Sequence, residues 1–379
     1  MSKSAIKQRQ SVAKPLLSSL QVYRGIAALL VVFYHITHQI RQRYGVDYLG
    51  GIFQFGYTGV DFFFVLSGFV ISYVHHNDIG VARRAGEYLA KRAVRIYPIY
   101  WLVASFKIAI LPLVPSLSAS EGSGPVYFIK SLLLLPQAIL PVIGVAWTLS
   151  YELLFYLFFM TFILFGRRWA LASMTVWVTA ILAHAIFDLP AGSNSYLLGS
   201  FLLNERNLEF LLGYAVAGLV LGGQVKGGWL WALAGLVGFS LSALYVNLRS
   251  GQEPASFTLT FGLSSALLLI GSVALELRRG RSWPWWLGHL GDASYSIYLT
   301  HAMFFNIGFV FLDKTGVAGY LSASGEASLL VPMAVGGGIV VYHVAERPLI
   351  AWFRRRLIHR RPVYATSQTA VLVQPSAES

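Results

Sequence analysis

Apolar residues recur along this chain in runs of about 20, each long enough as a helix to cross a hydrocarbon core of about 30 Å. Read this way, the pattern predicts ten spans, over residues 20–40, 55–75, 96–113, 148–166, 169–188, 207–222, 229–248, 257–277, 292–312 and 327–350. Another apolar stretch, 126–143, is interrupted by Pro136 and Pro141. Proline removes a helical hydrogen bond and clashes with the preceding turn, so this stretch is expected to be a re-entrant or interfacial piece of one long outer loop. The fold class is therefore an all-α polytopic membrane protein. Residues 1–19 form an expected cytoplasmic N-tail, 20–350 one membrane domain, and 351–379 a basic, then polar, cytoplasmic C-tail.

Charge placement sets the expected orientation. With the N-terminus inside, 21 of the 29 lysines and arginines fall in inside segments and 6 in outside ones, with Arg24 and Lys107 within spans. Cytoplasmic loops collect these residues. Had 126–143 crossed fully, every later loop would change sides and the bias would be lost. Both ends are thus expected in the cytoplasm. The net charge of +13 is explained by this bias, without a nucleic-acid partner. The absence of cysteine excludes disulfides, thiolate metal sites and an acyl-cysteine intermediate. Gly218 and Gly222 form a GxxxG, read as a close helix-packing site. No repeat between the two halves is evident, which disfavours a transporter built on repeats.

Polar groups inside spans are costly and mark function by default. Arg24 and His35 share one face of the first span, about 16 Å apart along the axis. His35, Asp61 in GYTGVDFFFVLSGF and Glu152 in AWTLSYELLFYLF each lie, by helical rise, about 6–9 Å from an outer span end. They form an expected outer reactive layer. Below it, AKRAVRIYPIYW places Arg92 and Arg95 on one helical face at the start of the third span. With Lys91 and Arg24 they form an expected cytoplasmic anion site. Single residues have blander readings: Arg24 snorkelling to lipid phosphates, His35 bonding a neighbouring helix, the RxxR as ordinary cytoplasmic charge. The joint arrangement fits acyl-CoA, with phosphates at one end, a long arm and a thioester at the tip. His35 would act as general base on an acceptor hydroxyl, its ring oriented by Glu152 or Asp61. Metal has no part in this reading. His301, near mid-membrane, is a candidate cavity residue.

These segments resemble the membrane acyltransferase-3 family, which modifies bacterial surface glycans. The matching blocks are LQVYRGIAALLVVFYHITH, GVDFFFVLSGFVISY, YLAKRAVRIYPIYWL, AWTLSYELLFYLFF, GDASYSIYLTH and HVAERPL. The resemblance implies O-acetylation of a sugar from cytoplasmic acetyl-CoA in the bacterial inner membrane. It makes Arg24, His35, Arg92 and Arg95 the expected essential residues. Trp147, Ser150, Glu152, and with them Tyr151, Tyr298 and His301, are further candidates. Expected partners are acyl-CoA, a glycan or lipid-linked oligosaccharide acceptor, membrane lipids and polysaccharide-assembly proteins. The rival readings are a flippase for a lipid-linked sugar and a membrane O-acyltransferase acting on lipids or proteins.

Overall fold

A computed structural model describes residues 17–111, 122–187, 197–249, 257–280 and 283–357; most of both expected tails lies outside them. The described residues are helical, with no strand among them. Among the described residues, nine helices are long and apolar enough to cross a membrane. The predicted spans 20–40 and 55–75 become α1 (Ser18–Tyr44) and α2 (Gly59–His75). Next come α3 (Ala85–Ile110), the short α4 (Pro125–Leu132), α5 (Trp147–Phe165) and α6 (Arg167–Phe187). After the short α7 (Leu197–Leu202) follow α8 (Arg206–Leu221), α9 (Gly228–Leu248) and α10 (Phe257–Arg279). The last are α11 (Trp285–Thr315), α12 (Ala323–Val341) and α13 (Arg347–Leu357).

Two predicted elements differ in kind. At 16 residues α8 is about 24 Å long, shorter than a hydrocarbon core. Its first turns, Asn207 to Leu211, are buried against neighbouring helices. α3 begins eleven residues before the predicted start, so Arg92 and Arg95 lie within the helix rather than at its mouth.

The proline-interrupted stretch becomes α4 followed by irregular chain, held on α3 by side chains. Tyr100 donates to the Ser131 carbonyl, Trp101 to that of Leu132 at 2.9 Å, and Lys107 Nζ to that of Val142 at 2.7 Å. Backbone carbonyls left without helical partners are satisfied in this way.

Lipid tails are as apolar as leucine, so helices in a bilayer associate through close packing. Glycines supply it here. A Cβ on Gly291 of α11 would collide with the Gln21 carbonyl of α1, and one on Gly68 of α2 with the Phe210 carbonyl of α8. Phe210 stacks between Phe64 and Phe155, with ring centroids 4.5 and 4.9 Å away. Gly218 of the GxxxG faces open space instead, so that motif does not make the packing contact expected of it.

The end of α12 carries a π-helical turn, Tyr342–Glu346. Pro348 explains it: its ring displaces the carbonyl four residues back, and it has no N–H to donate. The wider turn presents Glu346 to the bundle interior, where it is fully buried.

Candidate functional site

Two chambers lie among α1, α2, α3, α5 and α11. The smaller, of about 130 Å³, is lined by Arg24, Arg92, Arg95, Glu152 and Tyr156 among others. The larger, of about 960 Å³, is lined by His35, Asp61, Lys107, Trp147 and Arg206 among others. Val60 on α2 and Tyr298 on α11 line both. Tyr298 is fixed there: its phenol donates to the Val145 carbonyl at 3.1 Å and lies 2.9 Å from Thr148 Oγ1.

Arg24 and His35 therefore open into different chambers from one face of α1, as their three-turn spacing predicts. Local backbone chemistry fixes the His35 ring. Its Nδ1 lies 2.8 Å from the Val31 carbonyl, one turn back on α1. A carbonyl only accepts, so Nδ1 carries the hydrogen and Nε2 keeps its lone pair. Neither carboxylate holds Nδ1, contrary to the triad-like orientation expected of Glu152 or Asp61.

Glu152 sits with the arginines instead. It accepts from Ser67 Oγ at 3.2 Å and from the Tyr156 hydroxyl. Ser67 is six residues beyond Asp61 on α2, about 9 Å further along the axis. Counting depth from each span's end had put Glu152 level with Asp61; the helices do not begin in one plane, so the count fails. Asp61 does line the His35 chamber.

The three arginines are not equivalent. Arg95 pairs with Glu346, whose other oxygen accepts from Ser296 Oγ at 2.6 Å. Arg92 lies over the Tyr156 ring, 5.8 Å from its centroid, and its Nε has no hydrogen-bond partner. Lys91 pairs with Glu87 one turn away at 2.7 Å and lines neither chamber.

Trp147 lines the histidine chamber beneath the Arg206 guanidinium, 5.2 Å from its ring. Ser150 is buried and Tyr151 packs edge-on to Trp147, neither lining a chamber. His301 is fully buried beside His35 rather than in the cavity wall. Sequence reasoning passed over Arg206, counted as a loop charge, and Glu346, although HVAERPL had been singled out. An acidic residue two positions before a helix-breaking proline is the signal that could have found Glu346. Lys107, placed within a span by charge counting, bonds inside the bundle and also lines the histidine chamber.

The family model described as an acyltransferase domain, that of acyltransferase-3, matches residues 17–343. The chain belongs to this family. Among the curated proteins similar to this chain is the exopolysaccharide production protein ExoZ of Rhizobium meliloti (strain 1021). It is 29% identical over 333 residues, covering 82% of this chain and 94% of that protein. Acyltransferase MdmB of Streptomyces mycarofaciens is 28% identical, covering 94% of this chain and 98% of its own length. No solved structure matches the chain. With nine apolar helices among the described residues and this family, the protein is a multi-pass membrane acyltransferase.

Proposed function

We propose that this acyltransferase takes an acyl group, acetyl in the simplest case, from acyl-CoA at the cytoplasmic side of a bacterial inner membrane. It delivers the group to a hydroxyl of an exported or surface glycan. The observation that carries the reading is His35: its Nδ1 hydrogen is committed to Val31, which leaves Nε2 as the base in a cavity of about 960 Å³.

The arginine chamber is the donor end. Arg92, with its Nε unpartnered, and Arg24 suit anionic phosphates through forked, charge-assisted bonds. Arg95 reaches the same chamber while tied to Glu346. Lys91, held by Glu87, is left a peripheral part. The donor's thin arm passes Val60 and Tyr298, and its thioester meets His35. The acceptor oxygen attacks the thioester carbonyl as its proton moves to Nε2, and the sulfur leaves as the thiol.

The histidine chamber is the acceptor end. Tyr34, Tyr57 and Trp147 line it, and aromatic faces suit the C–H faces of sugar rings. A glycan acceptor is also supported by the exopolysaccharide production named for ExoZ. The test is mass spectrometry of the surface polysaccharide from cells with the chain, without it, and with His35→Ala. Loss of one acyl mass in the last two, with normal expression of the variant, is expected. Acylation retained in His35→Ala would reject the base.

A further inference from the structure

Behind the chamber face of His35 lies a second imidazole. His301 on α11 is fully buried, and its ring meets that of His35 with centroids 4.8 Å apart and planes inclined by 60°. Its Nδ1 lies 2.7 Å from the Tyr298 carbonyl and 3.2 Å from that of Ile297. Carbonyls cannot donate, so this nitrogen carries the hydrogen and Nε2 has only a lone pair. That Nε2 is buried with no hydrogen-bond partner. Unsatisfied buried polar atoms are few in folded proteins, and each asks for a reason.

His35 follows the same rule, with Nδ1 anchored on Val31. Each helix's own backbone thus fixes one tautomer, and two adjacent rings keep lone pairs at Nε2. At rest the pair has no hydrogen to share. One arriving proton fills the gap, whereas a second would place two like charges in contact at low dielectric. The pair has capacity for one proton.

We propose that His301 is the positioning partner of His35 and shares the one proton that acyl transfer delivers. The proposal rests on His35 being the base. As the acceptor oxygen bonds to the thioester carbon, its proton passes to His35 Nε2 and the imidazolium is stabilised by His301. The C–S bond breaks with its electron pair on sulfur, and the sulfur takes the proton back from the histidine pair. Both rings end neutral. The other charged groups facing His35 are His38 on α1, Asp61 on α2, Lys107 on α3 and Arg206 on α8. Arg43 of α1 and Asp313 of α11 pair with each other. The phenols nearby are Tyr34, Tyr57 and Tyr298.

The full chain in nanodiscs is assayed with acetyl-CoA and with surface polysaccharide from cells lacking the chain. His301→Phe removes the lone pair. Its kcat is expected to fall about 10-fold or more with KM for acetyl-CoA unchanged. The acid limb of its pH–rate profile moves to lower pH by about one unit, because imidazolium at His35 loses its partner. His301→Gln, whose amide oxygen accepts, is expected to restore the limb. If His301→Phe does not fold, His301→Leu carries the same comparison. Reaction of His35 with diethyl pyrocarbonate across pH, read by mass spectrometry, reports the same titration without an acceptor. An unmoved limb, or an unchanged kcat, overturns the pairing. Activity retained by His35→Ala would instead reject the base itself.

Discussion

Arg95 on α3 and Glu346 on the π-turn after α12 form an ion pair in which the carboxylate is fully buried. Breaking such a pair from one side leaves an uncompensated charge, at a cost of about 3–5 kcal/mol. Arg95→Ala should therefore lower thermal stability in detergent. Arg95→Ala combined with Glu346→Ala should be less destabilised than the two single variants added together. Additive losses in this double-mutant cycle would show that the pair is not coupled.

Arg92 should behave differently. Its guanidinium rests on the Tyr156 ring and has no acidic partner among the described ion pairs. Arg92→Ala should keep a near-native melting temperature while weakening acetyl-CoA binding about 10-fold or more, the loss of a charge-assisted contact. Calorimetric titration of the purified variant checks this, and unchanged affinity would remove Arg92 from the donor site.

Val60 and Tyr298 stand where the chambers meet. Val60→Trp should abolish transfer to the glycan and weaken binding of acetyl-CoA, whose arm uses the passage, but leave binding of adenosine 3′,5′-bisphosphate, which occupies the donor end alone. Transfer and acetyl-CoA binding both retained would mean that the two chambers are not successive parts of one path.

Glycines test the helix contacts. Gly291→Ala forces a methyl against the Gln21 carbonyl, and overpacking of this kind costs about 1–3 kcal/mol. Gly218→Ala has open space around it and should leave the melting temperature unchanged. A reversed order would contradict the α1–α11 packing described above.

Just beyond the end of α1, the Asp47 carboxylate is held below its ordinary value by a direct hydrogen bond from Arg41. A lowered folded pKa contributes stability that is present above the unfolded value and is lost as pH falls through the folded one. The pair is partly open to solvent, so screening keeps the effect small. In a pH series of melting curves, Asp47→Asn should melt slightly below the parent at neutral pH and match it at low pH, the weak acid-dependent loss being absent.

The sequence by itself determined the membrane class and nearly every span, since a hydrocarbon core demands long apolar runs whatever surrounds them. Spacing along α1 also placed Arg24 and His35 on one face, because helical geometry is local. Tertiary structure alone decided which groups meet. Relative depth between helices depends on loops and close approaches such as Gly68 and Gly291, and no single span encodes that offset. This is why Glu152 joined the arginines instead of His35, and why Arg95 found Glu346 251 residues away. It is also why His301, indistinguishable in sequence from a packing histidine, came to lie beside His35.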